Sequence, residues 1–141
     1  LPWSQYSDGV SDKTTAPDLV AVTHAGYFLD PDALLYNAWH SFPNESVTWA
    51  RNPTHFGGNN AQSAKVDKLL DDARLLSDKA KRATLYKEVQ TIINEECPAI
   101  FAMEQVGYIP HNSQLQNIVY NVEYFNVYGI YNFTWSGPAP R

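Results

Sequence analysis

The sequence is poor in three features that would each have narrowed its function: cysteine, long hydrophobic runs and clustered positive charge. Only one cysteine, Cys97, occurs among the 141 residues. The sequence therefore forms no disulfide within itself and lacks the usual cysteine pattern of a zinc site. No apolar run reaches the roughly 18 residues that a membrane-spanning helix requires. The N-terminal residues also lack the pattern of a signal peptide.

The charge balance argues against nucleic acid as a partner. Ten Lys and Arg residues face fifteen Asp and Glu residues, which gives a formal net charge of −5. The basic residues are scattered, and only the KAKR segment at 79–82 forms a cluster. This cluster lies within a helical pattern, where a solvated helix face is the simpler interpretation.

What the sequence contains is enough for a packed globular fold. Hydrophobic residues make up 44% of the chain, and a chain of this length is able to bury a core. The sequence begins LPWSQYSDG without an initiator methionine. We therefore expect residue 1 not to be the start of the gene product, and the chain to be a piece of a longer protein.

Residues 19–35 (LVAVTHAGYFLDPDALL) combine an apolar run with two aspartates around a proline. The β-branched run predicts a strand buried on both faces. Asp30 followed by Pro31 is typical of a helix start, with Asp32 in the first turn, where the helix dipole favours negative charge. Side chains two positions apart point in different directions at a helix N-terminus, so capping is favoured over a catalytic acid pair.

Further helices are predicted for the middle of the chain. The segment after Asp32 continues as a helix to His40, with Leu34, Leu35, Ala38 and Trp39 on its apolar face. Val66, Leu69, Leu70, Ala73 and Leu76 have helical spacing in a helix from about Ala64 to Leu76. Ser77 and Asp78 predict the cap of another helix that ends at Pro98, with Ala83, Tyr86, Val89 and Ile93 buried.

The C-terminal part of the sequence predicts extended structure. AIFAM (99–103) and VGYI (106–109) are typical of short strands. Seven aromatic residues then follow between positions 120 and 135: Tyr120, Tyr124, Phe125, Tyr128, Tyr131, Phe133 and Trp135. Such a tail is typical of a segment that lies against another surface.

Motifs for metal, cofactor or nucleophilic chemistry are missing. The four histidines are far apart and show no metal-ligand spacing, and the sequence contains no GxSxG, P-loop or GxGxxG motif. We expect neither a metal nor a cofactor, and nothing in these patterns supports an enzyme. Two alternatives stay open. One is a small hydrolase or metal-dependent enzyme using His24 with Asp30 and Asp32, since His24 follows the predicted strand at the sheet edge where ligands bind. The other is a free-standing interaction module, which would require the aromatic tail to fold back onto its own chain.

Three stretches in order carry a family resemblance: the run ending in DPDALL, then AKVDKLLDDAR, then DKAKRATLYKEVQTIINEECPAIFAM. Together they resemble the C-terminal part of the extracellular solute-binding proteins of family 5, the peptide- and nickel-binding type that serves ABC importers. The second motif is carried by Val66, Asp67, Leu69, Leu70 and Ala73. The third is carried by Lys81, Arg82, Leu85, Tyr86, Gln90, Ile92, Ile93 and Pro98.

The resemblance implies an α/β fold of the bilobal periplasmic-binding-protein type II, with a mixed sheet and packed helices. Residues 1–110 would belong to the second, larger lobe, and residues 111–141 would return to the first lobe. The N-terminal three-quarters of the parent protein would be absent from this sequence. Without its other lobe, the aromatic tail would be exposed, which favours self-association.

The family's function would then be transport, not catalysis. A small solute, an oligopeptide or an oligosaccharide, would be captured by lobe closure and presented to ABC permease subunits in the membrane. The implied location is periplasmic or extracellular, with a lipid anchor in the parent protein.

The implied ligand site lies just before Asp30. Peptide-binding members of the family carry an aspartate three residues before the DP acid, where it pairs with the peptide's amino group, and an aromatic residue further upstream. Here Tyr27 occupies the aspartate position and His24 the aromatic position, while Gly26 and Phe28 complete the candidate site. The amine partner is therefore missing, which favours a neutral solute such as an oligosaccharide that a tyrosine stacks on and hydrogen-bonds.

Overall fold

The chain is mostly helical and contains a small two-stranded sheet. The computed structural model describes residues 1–24, 26, 28–43, 47–48, 50–57, 60–103, 108, 110–119 and 132–138. Its elements in chain order are the helices α1 (Trp3–Ser11), α2 (Pro31–Trp39), α3 (Ala61–Leu75) and α4 (Lys79–Glu96), and the strands β1 (Leu115–Gln116) and β2 (Thr134–Trp135). None of the helices formed by the described residues is long and apolar enough to cross a membrane.

The chain divides into two compact units. The first comprises Leu1–Gly26 and Asp30–Ile100 and contains the four helices; the second comprises Tyr27–Leu29 and Phe101–Arg141 and contains the sheet. In that sheet β1 and β2 run antiparallel, with Leu115 opposite Trp135. The predicted division at residue 110 concerned two lobes of a longer protein, and it stays a prediction.

Helix α2 begins as the sequence predicts. The Asp30 carboxylate accepts a hydrogen bond from the backbone N–H of Asp32 at 2.9 Å, and Pro31 is the first helical residue. An aspartate cap satisfies one of the N–H groups that a helix leaves unpaired at its start. Leu35, with Ala33, Ala38 and Trp39, forms the buried face of this helix. Leu34 is 37% exposed, so its predicted place on the apolar face is wrong.

Helices α3 and α4 form an antiparallel hairpin whose facing residues make the core. The buried side chains recur at the three- and four-residue spacing of one helix face: Val66, Leu70 and Ala73 on α3, and Tyr86, Val89, Ile92 and Ile93 on α4. Leu35 and Trp39 of α2 join the same cluster. Burying each large aliphatic side chain contributes about 1.5–3 kcal/mol, so this face is the main source of stability for the hairpin.

The ends of the two hairpin helices follow local capping chemistry. Asn60 caps α3 by accepting from the N–H of Gln62 at 2.8 Å, so the helix starts three residues before the predicted start. Asp78 caps α4 as predicted, accepting from the N–H groups of Ala80 and Lys81. The predicted buried position of Ala83 is wrong, because this residue is exposed on the outer face of α4.

The predicted strand before α2 is wrong. Residues 19–24 form neither helix nor strand, and Leu19 is 80% exposed. A strand requires a neighbouring strand to pair its N–H and C=O groups, and among the described residues this segment has none. The Ala21 carbonyl instead accepts a hydrogen bond from the Tyr6 hydroxyl at 2.9 Å. The mixed sheet is therefore not found in the described part of the chain, where the one sheet is antiparallel.

The C-terminal predictions have mixed outcomes. AIFAM (99–103) forms no strand, and Met103 is 90% exposed. Most of VGYI and the aromatic residues from 120 to 131 lie outside the described residues, so self-association through the tail stays a prediction. Trp135 lies in β2, where its indole N–H donates to the carbonyl of Pro138 at 2.7 Å.

Candidate functional site

The four residues proposed for ligand binding have different surroundings. His24 and Gly26 are both half-buried and belong to the first unit, whereas Phe28 belongs to the second unit and is 53% exposed. Tyr27, the most informative of the four, lies outside the described residues. The structure therefore assigns His24 and Gly26 to one unit and does not bring all four residues into one described site.

His24 has the properties of a neutral, partly enclosed imidazole. Its Nε2 atom is buried and has no hydrogen-bond partner among the described residues. Burial lowers the pKa of His24, and an interaction with the backbone of Leu34 offsets part of that change. The ring is therefore uncharged near neutral pH, because the cation is the form that burial disfavours.

The Asp30 carboxylate, besides capping α2, is held by Arg82 of α4. Arg82 donates from Nη1 to Oδ2 and from Nη2 to Oδ1, both at 2.9 Å. This paired contact holds the pKa of Asp30 below its usual value. Arg82 also donates to the Tyr86 hydroxyl at 2.9 Å and to the Ala73 carbonyl at 3.1 Å. The guanidinium is thus fixed by three groups and presents its planar fork to the carboxylate.

The Asp32 carboxylate is held in the same way by Arg74 of α3. Arg74 donates from Nε and Nη2 to the carboxylate oxygens at 2.9–3.1 Å. Its guanidinium carbon lies 3.4 Å from the centre of the Tyr36 ring, a cation–π contact. The contact with Asp32 raises the pKa of Arg74. The Asp32 side chain is only 14% exposed, so most of its carboxylate contacts protein.

These two pairs, Asp30–Arg82 and Asp32–Arg74, are called here the aspartate–arginine clamp. They connect the N-terminal turn of α2 to two different helices, α4 and α3. Each carboxylate accepts hydrogen bonds from its own guanidinium. The predicted helix cap at Asp30 is confirmed, and the clamp adds a second structural role.

The clamp bears on the alternative of an enzyme using His24 with Asp30 and Asp32. A general base or a metal ligand uses the lone pairs of a carboxylate, and part of that acceptor capacity is taken up by arginine at both aspartates. Among the described residues, no three His, Cys, Asp or Glu side chains are arranged to hold a metal ion. The enzyme alternative stays a hypothesis.

Sequence reasoning missed Arg74 and Arg82 as partners of the aspartates. The pairs lie 42 and 52 residues apart in the chain. No short motif joins residues at that distance, so only the packing of α2 against the hairpin brings them together. A weak indication exists in α4, where Arg82 and Tyr86 have the i, i+4 spacing of neighbours on one helix face.

A separate small cavity lies in the first unit, in the loop between α2 and α3. It has a volume of about 200 Å³, smaller than most ligand pockets. Its lining consists of Lys13, Ser41, Phe42, Val47, Asn52, His55, Phe56 and Gly57. Three of these have positive φ, namely Asn52, His55 and Gly57. Of the residues proposed for ligand binding from the sequence, the described ones, His24, Gly26 and Phe28, are not in this lining.

Hydrogen bonds hold this loop in its unusual backbone conformation. Buried Asn52 donates from its backbone N–H to the Asn37 carbonyl at 2.6 Å and from Nδ2 to the Phe56 carbonyl at 2.7 Å. His55 donates from Nε2 to the Val10 carbonyl at 2.7 Å. These bonds offset the cost of left-handed φ angles at non-glycine residues. Their role is to fix the path of the loop.

His40 makes packing and hydrogen-bond contacts next to α2. The ring stacks on Tyr36 with centroids 4.3 Å apart, and Nδ1 donates to the carbonyl of Ser41 at 2.6 Å. Its Nε2 lies 3.5 Å from an Asp71 oxygen, which is within ion-pair distance, but the two atoms do not have hydrogen-bond geometry. We therefore treat this contact as proximity and not as a bond.

Comparisons with known proteins found no match: no family model, no curated protein and no solved structure has significant similarity to the chain. The resemblance to the solute-binding proteins of family 5 therefore rests on the residues of this sequence.

Proposed function

We propose that this chain is part of a solute-binding protein that captures a small solute and delivers it to an ABC importer. One observation carries the proposal: residues from the three family-like motifs contact one another in the folded chain. Asp30 and Asp32 of DPDALL accept hydrogen bonds from Arg82 of the third motif and from Arg74, the last residue of the stretch AKVDKLLDDAR that contains the second. Motif residues that meet across 42 and 52 positions behave as parts of one structural unit.

The contact between motifs supports the proposal for a physical reason. A chance match of three short patterns would not be expected to place their charged residues in two complementary pairs. Bidentate arginine–carboxylate pairs require planar alignment of both groups, and Asp30 and Arg82 have this alignment. Leu70, a residue of the second motif, packs in the same buried cluster as the α4 residues of the third motif. The apolar residues of both motifs therefore belong to the same unit.

The proposed ligand residues are His24, Gly26, Tyr27 and Phe28. Tyr27 stands where a peptide-binding member of the family has its aspartate, so the proposed solute is neutral, with an oligosaccharide preferred over a peptide with a free amino terminus. Aromatic rings suit such ligands because they pack on sugar faces, and the tyrosine hydroxyl adds a hydrogen bond. The proposed partners are the permease subunits of the importer.

The proposal places the parent protein in the periplasm or at the outer cell surface, attached by a lipid anchor, and assigns it binding and not catalysis. Solute capture would occur by closure of two lobes, of which this chain supplies part of the larger one. This account predicts coding sequence upstream of residue 1 and permease genes beside it. A gene that begins at residue 1 with no permease gene nearby would contradict it.

Calorimetric titration of the complete gene product tests the ligand class. Two probes with three units each are cellotriose, which is neutral, and trialanine, which has a free amino terminus. We expect binding of cellotriose and its loss in Tyr27→Ala, while the control Tyr108→Ala, a change at an 87% exposed tyrosine, keeps the affinity. Preference for trialanine would overturn the neutral ligand, and unchanged affinity in Tyr27→Ala would remove this residue from the site.

A further inference from the structure

We propose that Arg82 and Arg74 are positioning residues: through Asp30 and Asp32 they fix the start of α2 and, with it, the surroundings of His24. The assignment of His24 to a ligand site rests on the proposed function above, whereas the positioning role rests on the contacts of the clamp. Neither arginine is proposed to touch the solute.

Helix α2 depends on external contacts at its N-terminal end. It has only nine residues, and isolated helices of this length are marginal in water. Its large buried side chains, Leu35 and Trp39, lie in its middle and C-terminal parts. The first turn offers only Ala33 to the buried face, while Pro31 is exposed. The clamp therefore supplies the main side-chain contacts that fix the first turn.

The clamp restrains the orientation of the first turn of α2 as well as its distance from α3 and α4. Arg82 is held by the Tyr86 hydroxyl and the Ala73 carbonyl, so its fork is oriented whether or not Asp30 is present. The guanidinium of Arg74 is also held over the Tyr36 ring by the cation–π contact. Two planar contacts on two helices restrain both translation and rotation of the first turn of α2. A lysine at either position would keep the charge but lose the paired geometry.

The position of α2 affects the candidate site through the contact of this helix with His24. The backbone of Leu34, in α2, interacts with the His24 ring, and the ring is more than half-enclosed. Only five residues separate His24 from Asp30. A shift in the first turn of α2 therefore changes the surroundings of His24, which gives the positioning role a local reporter.

The first test is an NMR titration of the four histidines in the full chain. Burial holds the pKa of His24 below its ordinary value, so loosening of α2 is expected to raise the His24 midpoint toward that value in Arg82→Gln. Arg82→Lys is expected to restore it only in part. The exposed His111 serves as an internal reference. The matched control is Lys65→Gln, which removes the Lys65–Glu88 pair joining α3 to α4 at 2.7 Å but leaves the clamp intact.

The second test uses chymotrypsin, which cleaves after aromatic residues. Cleavage after Phe28, measured by mass spectrometry relative to cleavage after the exposed Trp3, reports local opening at Asp30 and Pro31, the start of α2. We expect a relative increase of roughly fivefold in Arg82→Gln, since a partly exposed ion pair contributes on the order of 1 kcal/mol. Asp30→Asn keeps the helix cap and is expected to give a similar increase, so the result does not depend on one variant.

The outcomes separate the two proposals. A His24 midpoint and a Phe28 cleavage ratio that stay unchanged in folded Arg82→Gln and Asp30→Asn would overturn the positioning role. An equal response in Lys65→Gln would also overturn it, because general loosening of the hairpin would then explain the effect. If His24 responds as expected but neither cellotriose nor trialanine binds the complete gene product, the positioning role is supported and the proposed function fails.

Discussion

The hairpin of α3 and α4 and the second unit use similar residues with opposite results. Tyr86 and Val89 in α4 are 3% and 0% exposed, whereas Tyr108 and Val119 in the second unit are 87% and 52% exposed. Residue type therefore does not decide burial in this protein. What differs is the backbone, because α4 repeats its apolar residues on one face over 18 residues, and the described strands of the second unit are two residues long.

The comparison shows how much a continuous helix contributes to burial. In α3 and α4 every interior backbone group is paired within its own helix, so the apolar face packs without a polar cost. A two-residue strand pairs few groups and presents only one side chain to each face. The described part of the second unit therefore leaves large side chains such as Met103 exposed.

Truncation of matched residues gives the largest expected contrast. Leu70→Ala, at a fully buried position in α3, is expected to lower the free energy of unfolding by about 2–5 kcal/mol, because it removes apolar contacts and leaves a cavity. Leu75→Ala lies in the same helix at 85% exposure and is expected to change it by less than about 0.5 kcal/mol. Urea denaturation measures both.

A variant in the second unit tests whether its large side chains are as exposed as the comparison states. Met103→Ala removes a side chain that is 90% exposed and is expected to behave like Leu75→Ala, within about 0.5 kcal/mol of the parent. A loss as large as that of Leu70→Ala would mean that Met103 is buried in solution. The contrast between the two regions would then be wrong.

Two glycines in the first unit are expected to respond to alanine substitution in opposite directions. Gly57 has φ of 143°, and a Cβ at this position would collide with Oγ of Ser41. Gly57→Ala is therefore expected to destabilise the protein by about 1–3 kcal/mol. Gly9 lies inside α1 with no atom near the position of a Cβ, so Gly9→Ala is expected to stabilise by about 0.5–1 kcal/mol. Thermal unfolding of both variants measures the difference, and a change of the same sign in both would contradict it.

The sequence predicted those parts of the fold that depend on interactions between residues close together in the chain. Asp30 and Asp78 cap their helices by accepting hydrogen bonds from N–H groups two or three residues further along the chain. Those helix starts were therefore predictable. The strand predicted over 19–26 is not found in residues 19–24, because strand formation depends on a partner elsewhere in the chain, which an apolar run does not specify. The same reason applies to AIFAM, whose apolar composition suits a strand but whose residues form none.

The candidate site was predictable only in part for a related reason. The cap at Asp30 follows from the Asp-Pro pair, whereas Arg82 and Arg74 are chosen by helix packing across more than forty residues. The cavity beside Asn52 and His55 depends on left-handed backbone angles, which no spacing pattern predicts. Residues tied to their neighbours were therefore identified, and residues tied to distant elements were not.

Acidification is expected to weaken the first unit in two separate ranges. The folded-state pKa of His24 is lowered by burial, so the unfolded chain binds the proton more readily and stability falls as the pH drops below about 6.5. The folded-state pKa of Asp30 is lowered first by Arg82. Its contribution is therefore fully present above about pH 4 and is lost as the pH falls through the lowered value.

Urea midpoints recorded between about pH 8 and pH 3 separate these ranges. His24→Gln is expected to remove the decline that begins near pH 6.5 and leave the acidic one. Asp30→Asn is expected to flatten the acidic decline, while retaining the helix cap through its side-chain oxygen. Identical profiles for the parent and Asp30→Asn would mean that the aspartate is not paired in the folded protein.

The central claim is that Asp30 is a structural residue coupled to Arg82, and a double-mutant cycle tests it most directly. The cycle compares Asp30→Asn, Arg82→Gln and the double variant by urea denaturation, with Lys65→Gln and Glu88→Gln as a matched cycle at a more exposed pair of the same hairpin. We predict a coupling energy of about 1 kcal/mol or more for Asp30 with Arg82, and about 0.5 kcal/mol or less for the control. A coupling of zero between Asp30 and Arg82 would contradict the clamp.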